Sequence, residues 1–209
     1  MYNPQSFKSE DAQEVFELID HHPFATVITV VDGKPFVSHL PITPKKIGDK
    51  IELIGHLARA NPHWRSFANS QATVLFHGPH TYITPKWYEE NDVPTWNYSA
   101  VHVIGQVELI ESTEGIVECL KELTAHVERY WMSGWEFFIP DDLTGVLSKS
   151  IVGFRIKADE INFKKKLSQN RSPADRAGVL KGLETRSDDN SRSVLAEMRK
   201  LYSLNGELK

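Results

Sequence analysis

The most regular feature of this sequence is a series of short runs in which apolar and polar residues alternate. Alternation with a period of two predicts strands that are buried on one face and exposed on the other. The first two runs are joined by Asp32-Gly33, a dipeptide that favours a tight hairpin turn between β-branched segments. Six strands are predicted: FATVITVV (24–31), KPFVSHLPITP (34–44), KIELIGHL (50–57), ATVLFHG (72–78), AVHVIGQVELI (100–110) and IVGFRIKADEINF (151–163).

Apolar residues at helical spacing predict four helices. The first follows Ser9, which can cap it, and ends before Pro23. The second begins at Ser112 or Thr113, between the last two strands. Two short helices close the chain over residues 172–184 and 194–204, separated by a weak linker, TRSDDNSRS (185–193). The apolar stripes of the first two helices are Val15, Phe16, Leu18 and Ile19, and Ile116, Val117, Leu120, Leu123 and Val127.

Short strands joined by hairpins, with few helices between them, predict a mainly β fold with peripheral helices, in the form of a closed or partly open antiparallel barrel. A Rossmann fold is not expected, because both the βαβ alternation and a GxGxxG motif are missing from the sequence. Residues 77–100 form one long interruption, whose length and aromatic content favour an ordered, functional loop. We expect a barrel domain over residues 1–171 and a helical tail over residues 172–209 that packs on the barrel or on a partner subunit.

Composition narrows the possible classes of function. Hydrophobic residues make up 40% and charged residues 25% of the chain, as in globular proteins with a sizeable core. The net charge of −4 gives no general affinity for nucleic acid. A polar N-terminus and the lack of an apolar run of about 20 residues predict a cytoplasmic protein with no membrane segment. The single cysteine, Cys119, lies in an apolar helical pattern, so we expect a buried thiol.

The stretch ARANPHW (58–64) follows a predicted strand and contains the first candidate site. Asn61 is a good helix N-cap, and Pro62 suits the first helical position. Free N–H groups at a helix start, with Arg59 beside them, favour an anion such as phosphate. An ordinary capped helix with a solvated arginine explains the same residues, so both interpretations stay open here.

Three other stretches carry polar side chains that could bind a ligand. In SHLP (38–41) the Ser-His pair breaks the apolar alternation and could bond a ligand's carbonyl or ring nitrogens, or could be an ordinary strand pair. HGPH (77–80) has two histidines without HExxH or cysteine ligands, so no metal site is predicted. KKKLSQNR (164–171) could bind a phosphate or a flavin's pyrimidine edge, or be a solvated basic run. No nucleophile–base pair is evident, and no catalytic side chain is assigned.

Taken together, these motifs resemble those of one family. SHLP, GHLARANPHW, HGPHTYITPKWY, VPTWNYSAVHVIG and KLSQNRSPADRAGV occur in this order and are similar to the motif set of the PaiB-type FMN-binding negative transcriptional regulators. The resemblance extends from the first helix to about Glu184, with mild departures at Thr84 and Lys86. The family belongs to the flavin-binding split barrels, akin to pyridoxamine-phosphate oxidase and the flavin reductases.

The resemblance implies an antiparallel split β-barrel that forms a homodimer with two FMN sites at the subunit interface. The second strand would line the flavin ring, and the next strand end and helix start would hold the ribityl phosphate. The loop before the fifth strand would lie near the ring or the dimer seam, and the C-terminal segment would close the site. In that order the candidate residues are Ser38, His39 and Leu40; His56, Arg59, Ala60 and Asn61; Trp96, Asn97 and Tyr98; and Lys166, Gln169, Asn170 and Arg171.

Two functions are compatible with such a protein. The resemblance implies an FMN-binding dimer that lowers the expression of target genes, although direct DNA binding has little support from a negatively charged chain with Asp188 and Asp189 in its tail. The alternative is an FMN-dependent oxidoreductase that uses NAD(P)H or another small substrate, in which the flavin supplies the chemistry. A bare interaction domain without flavin is a third possibility, and the intact motif set argues against it.

Overall fold

The structure, a computed structural model, describes residues 1–48, 50–68, 70–90, 92–132 and 134–204. Within these residues the strands are β1 (Lys8–Ser9), β2 (Phe24–Val31), β3 (Lys34–Ile47), β4 (Lys50–Ala58), β5 (Gln71–Ile83), β6 (Thr95–Ile110) and β7 (Ile151–Lys166). The helices are α1 (Ala12–His21), α2 (Thr113–Trp131), α3 (Asp141–Ser150), α4 (Pro173–Glu184) and α5 (Asp189–Leu204), and short 3-10 turns cover Gln5–Phe7, Pro62–Ser66 and Pro85–Trp87.

The strands form one sheet in the order β1-β7-β4-β3-β2-β5-β6, and β6 also pairs with β7. The β6–β7 pairing joins the last strand of this order to the second, so that six of the seven strands form a closed cycle of pairings, as the strand connectivity of a barrel requires. The pairs β1–β7, β2–β3, β2–β5, β3–β4 and β4–β7 are all antiparallel. The predicted mainly β, antiparallel fold is therefore confirmed.

The predicted hairpin at Asp32-Gly33 is also confirmed. Val31 pairs with Lys34 across it, and the two turn residues have φ of 50° and 74°. Positive φ at both central residues matches the right-handed twist of the flanking strands, which is why an Asp-Gly step is favoured there.

Two boundary predictions are wrong. The interruption at 77–100 is mostly strand, because β5 continues to Ile83 and β6 begins at Thr95. Residues 80–83 of β5 alternate exposed and buried, but the alternating residues are aromatic and polar, so the period of two is masked. The weak linker at 185–193 is also mostly helix: α5 begins at Asp189, after the Asp188 carboxylate accepts a hydrogen bond from the Ser191 amide at 2.9 Å. No prediction was made for β1 or α3.

By their internal contacts the residues fall into two compact units. The large unit comprises Ala12–Phe76 and His102–Ile161, and the small unit comprises Met1–Asp11, His77–Val101 and Asn162–Lys209. The division into residues 1–171 and 172–209 stays a prediction. In the described part of the chain, no helix is both long and apolar enough to cross a membrane.

In the large unit, α1 and α2 pack against the sheet and α3 packs on α2. Cys119 of α2 contacts Ile54 and Leu123 in a buried cluster, and burial raises the pKa of its thiol to about 12. The predicted buried, unreactive thiol is confirmed, because a thiol with this pKa carries almost no thiolate near neutral pH.

In the small unit, α4 and α5 build a separate apolar core with the end of β5 and with Leu167. Trp87 packs against this core, and α4 approaches it through two glycines. A Cβ at Gly178 would lie 2.0 Å from the Trp87 carbonyl oxygen, and one at Gly182 would lie 2.2 Å from its ring. Only glycine permits this approach, so the tail helices are built into a core and are not a loose appendage.

Candidate functional site

A buried hydrogen-bond network surrounds His63, in the 3-10 turn that follows β4. The His63 Nδ1 atom lies 2.8 Å from the Ser38 hydroxyl of β3, and its Nε2 atom lies 3.0 Å from the Thr29 hydroxyl of β2. The Asn61 amide nitrogen donates to Ser38 Oγ at 3.1 Å, and Ser66 Oγ lies 2.7 Å from Thr29 Oγ1. The network therefore connects residues 56–66 at the end of β4, which we call the strand-end segment, to the first hairpin of the sheet.

The sequence explains why the chain turns here. Pro62 cannot continue the β4 ladder but suits the first position of a helical turn. The Asn61 side-chain oxygen accepts the His63 amide hydrogen bond at 3.1 Å and caps the turn. The predicted cap is confirmed, but the element is a five-residue 3-10 turn. At least one of the amides that were expected to be free for an anion is thus used by the cap.

Proton counting along the network fixes the tautomer of His63. Ser66 donates its only hydroxyl proton to the His63 carbonyl at 2.7 Å, so Thr29 must donate to Ser66. Thr29 has then no proton left and accepts from His63 Nε2–H, which leaves Nδ1 to accept the Ser38 proton. Because Asn61 takes one lone pair of Ser38, this hydroxyl keeps a single acceptor position for any further partner.

His63 is neutral at physiological pH. It is fully buried, stacks on Phe36 with ring centroids 4.4 Å apart, and contacts Phe67. Burial lowers the pKa of its imidazole to about 4. The proton order derived for the neutral ring therefore holds near pH 7. The sequence interpretation missed His63, Thr29 and Ser66, although the spacing of Asn61 and His63 in ANPHW was a usable signal.

Strand alternation separates the three candidates on β3. Ser38 and Leu40 are buried, whereas His39 between them is exposed. The His39 ring lies on the outer face, 3.1 Å from the Thr26 hydroxyl through Nδ1, and stacks on Phe24 at 6.4 Å. A ligand that contacts Ser38 and one that contacts His39 therefore approach opposite faces of this strand.

Around the strand end, His56 and Arg59 retain capacity to bind a ligand. The buried Nδ1 atom of His56 has no hydrogen-bond partner among the described residues, and burial lowers the pKa of this imidazole. The Arg59 guanidinium pairs with Glu111 at 3.1 Å and donates to the Ile151 carbonyl at 3.3 Å. Its side chain stays about one-third exposed, and Ala60 beside it is exposed.

A second arginine in this segment was not predicted. The guanidinium carbons of Arg59 and Arg65 lie 5.5 and 5.4 Å from the Trp64 ring, and the Trp64 indole N–H donates to the Arg59 carbonyl at 2.9 Å. Two cations held against one aromatic ring provide a positive surface beside the turn. Glu111 offsets part of that charge.

The candidates on β6 lie in the small unit and differ in exposure. Trp96 is 53% exposed and meets Tyr82 edge-on, with centroids 6.1 Å apart. Asn97 is fully buried, and its amide donates to Ser168 Oγ at 2.9 Å and contacts Met198 Sδ. Tyr98 is half-buried and lies under the Lys164 ammonium at 5.4 Å. These contacts give Asn97 a structural role, and its place at the cofactor stays a prediction.

The candidates at 166–171 are largely engaged within the small unit. The Lys166 ammonium donates to the Trp96 carbonyl at 2.8 Å and to the Thr95 hydroxyl, and burial lowers the pKa of this lysine. Gln169 bonds the Leu167 amide at 2.7 Å and the Lys165 carbonyl at 2.5 Å. The Arg171 guanidinium pairs with Asp92 and lies 4.4 Å from the Tyr88 ring. Asn170 is the exposed member of this group.

Within the described residues, no group of three or more His, Cys, Asp or Glu side chains could hold a metal ion. His77 and His80 of the HGPH stretch are both exposed on β5, and His80 Nδ1 bonds the Gly78 carbonyl at 3.3 Å. The arrangement is that of ordinary strand histidines.

The residues at the strand end fit FMN. The cofactor needs cationic and hydrogen-bonding groups for its phosphate and polar partners for its ring and ribityl chain. The Arg59 guanidinium suits the phosphate. Polar partners for the ring and ribityl chain are the His56 Nδ1 atom, which has no hydrogen-bond partner among the described residues, and the remaining acceptor position of Ser38. FMN when bound supplies redox chemistry that no side chain of this protein provides.

Comparison with known proteins agrees with the fold and with a flavin cofactor. Residues 1–160 match a family model described as "Putative FMN-binding domain". The protease synthase and sporulation protein PAI 2 of Bacillus subtilis is 38% identical over 200 residues, which cover 93% of this chain and 94% of that protein. This chain belongs to the PaiB-type family of FMN-binding proteins, and FMN is its cofactor.

Solved structures place the fold among the flavin-binding split barrels. An FAD- and heme-binding protein from Mycobacterium smegmatis superposes with a TM-score of 0.60 at 18% identity, over 76% of this chain and 73% of its own. A flavocytochrome from Azotobacter vinelandii gives a TM-score of 0.56 at 14% identity, over 76% and 67% of the two chains. The predicted split-barrel class is therefore confirmed.

Proposed function

We propose that this protein is a homodimeric, FMN-binding negative regulator of gene expression. The observation that carries the proposal is the 38% identity to PAI 2, which covers 93% of this chain. The name of that relative links it to protease synthesis and sporulation, and we extend a regulatory role of this kind to the present chain.

The proposed cofactor contacts lie in the large unit, around the end of β4. Arg59, with Ala60 and Asn61, binds the phosphate, while Ser38 and His56 supply hydrogen bonds to the rest of the cofactor. In the small unit, the candidates implied by the resemblance whose side chains are exposed or half-buried are Trp96, Tyr98 and Asn170, and their role at a cofactor stays a prediction.

An apolar sheet face supports the homodimer. It consists of Phe24, Ile28, Val30, Val37 and Leu75, on the outward side of β2, β3 and β5, where Ile28 pairs with Val37 and Thr26 with Leu75. Phe24 is 70% and Val30 64% exposed. Contiguous apolar side chains on an outward sheet face are typical of a protein interface, and we assign this face to the second subunit.

A direct DNA contact has little support from the tail. Arg186 pairs with Asp188, Arg192 with Asp189, and Arg199 with Glu184. Cations that are paired with carboxylates release few counterions from DNA and give little affinity. This observation favours regulation through the flavin or a protein partner, and it keeps an FMN-dependent oxidoreductase using NAD(P)H as the second candidate function.

The test compares transcripts in cells that lack the gene with cells complemented by variants. We expect transcripts that rise on deletion and fall again with the wild-type gene but not with Arg59→Ala, which binds FMN poorly. Ile161→Ser, an exposed change on β7 outside every candidate segment, is the control and should complement. An unchanged transcript profile on deletion would contradict a regulatory role, and rapid NAD(P)H oxidation by the purified protein would then favour the oxidoreductase.

A further inference from the structure

The large unit exposes a second apolar surface, in the connection from α2 to β7. It consists of Met132, Trp135, Phe138, Leu143 and Val146, which we call the apolar arm. These side chains are exposed by 87%, 51%, 72%, 46% and 56% respectively. Leu143 and Val146 lie three residues apart on α3 and therefore share one face of that helix. Five large apolar side chains exposed within 15 residues indicate a surface that is covered by a partner.

The charge around the arm indicates what kind of partner covers it. By sequence, residues 132–150 contain three carboxylates, Glu136, Asp141 and Asp142, and one lysine, Lys149. The segment is therefore acidic overall. An acidic segment is repelled by nucleic acid and by anionic membrane surfaces, both of which recruit basic residues. The complementary surface is instead apolar with a basic border.

The apolar sheet face of the same chain has this composition. Lys34 lies at the start of β3, two residues after Asp32, and Lys50 lies at the start of β4, where it pairs with Ile47 at the other end of β3; both lysines are exposed. An acidic arm that covers this face would bring opposite charges together at its border, which favours one orientation of the two subunits.

The sheet face alone is smaller than the area that a stable dimer interface buries. With roughly 150 Å² for each large apolar side chain, the exposed fractions give on the order of 300 Å² for the sheet face and 500 Å² for the arm. A stable interface buries about 800 Å² on each partner. The sheet face alone is too small for this, and the two surfaces together reach it.

We propose that the apolar arm of each protomer packs on the apolar sheet face of a second copy, in a reciprocal exchange. The proposal rests on the proposed homodimer and adds which segment closes it. By two-fold symmetry each subunit gives one arm and receives one, so a single substitution acts twice in the dimer.

The first test measures the dimer dissociation constant by sedimentation equilibrium. We expect the double variant Trp135→Ser/Phe138→Ser to raise it on the order of 100-fold, since large aromatic residues dominate interface energetics. Ile161→Ser, whose side chain is 37% exposed on β7 of the large unit, is the control and should leave it unchanged. A wild-type dimer with the same dissociation constant in the double variant would overturn the arm proposal alone. A wild-type chain that stays monomeric at all concentrations would overturn the homodimer as well.

A second measurement identifies the contact by trapping it as a covalent bond, at protein concentrations at which both cysteine variants still dimerise. Phe138→Cys and Val37→Cys proteins, each in a Cys119→Ser background, are oxidised separately and as a mixture. The reciprocal exchange predicts a disulfide-linked dimer between the two variants in the mixture and little in either protein alone. Linkage in each variant alone and not in the mixture would instead indicate that each surface meets its own symmetry mate, and would overturn the proposal.

Discussion

The sequence predicts FMN contacts in two segments, the strand-end segment at 56–66 and the basic segment at 164–171. The two segments differ in how many of their polar groups already have hydrogen-bond partners within the protein. In the first, a network around His63 leaves Ser38 one acceptor position, and His56 Nδ1 has no hydrogen-bond partner in the described part of the chain. In the second, Lys166, Gln169 and Arg171 are engaged by their own unit. Cationic residues in a sequence do not by themselves show that their charge is available to a ligand.

This difference has a physical cause. Ligand binding needs hydrogen-bonding capacity that the folded protein has not already used. The strand-end segment keeps such capacity, whereas the basic segment uses most of its own to hold the β6 start and the tail. We therefore expect substitutions in the first segment to affect FMN affinity and those in the second to affect mainly stability.

The largest effect is expected for His63→Leu. The change leaves the Ser38 and Thr29 hydroxyls buried without their partner, and should lower the free energy of unfolding by about 2–4 kcal/mol, with a loss of FMN affinity because Asn61 and Ser38 are no longer fixed. Urea unfolding and FMN titration measure the two effects. The control is His77→Leu, an exposed strand histidine of β5, where the change should stay within about 0.5 kcal/mol. Equal losses of stability and of FMN affinity in both histidine variants would contradict the special role of the His63 network.

The next effect concerns the phosphate. Arg59→Ala should weaken FMN binding by about 1.5–3 kcal/mol, the contribution of a hydrogen bond to a charged group. Glu111→Gln should strengthen binding, because it removes the carboxylate that competes for the same guanidinium. Fluorescence titration of FMN measures both affinities. If Arg59→Ala binds FMN as tightly as the wild type, the phosphate assignment is wrong.

A smaller effect is expected for Arg171→Gln. The change removes the contact with the Tyr88 ring and the ion pair with Asp92, and should lower the free energy of unfolding by about 1–2 kcal/mol. FMN affinity should change less than in Arg59→Ala. A loss of affinity as large as that of Arg59→Ala, with stability unchanged, would show that the basic segment binds the cofactor after all.

The smallest effect is a pH dependence. The pKa of His63 is about 4 in the folded protein, because of burial, and about 6.5 in the unfolded chain. The unfolded state therefore binds the proton first, and stability falls as pH drops from about 6.5 towards 4. Between pH 7 and 5.5 the loss should be about 1 kcal/mol. Urea unfolding at several pH values measures it. His63→Leu should lack this component, and an identical slope in both proteins would exclude His63 as its source.

The sequence alone determined much of the fold. Period-two alternation identified the strands, and Asp32-Gly33 identified the hairpin. These signals are readable because they depend on local backbone preference and on which face of a strand is buried. The ends of β5 and β6 were not predictable in the same way. Their alternating residues are aromatic and polar, and their strand conformation depends on pairing with residues distant in sequence.

At the site, the sequence determined the motif order that assigns the family, and the Asn61-Pro62 cap. The tertiary structure alone decided that Ser38 and His39 face opposite sides, that His63 joins Ser38 to Thr29, and that Arg171 is held by Asp92 and Tyr88. The physical reason is that local patterns fix the conformation of a segment, whereas the partner of a polar side chain is fixed by residues that the fold brings to it. For the GHLARANPHWRSF stretch, residues 55–67, local patterns predicted a capped turn beside an arginine, and only the fold revealed the buried histidine that holds it in place.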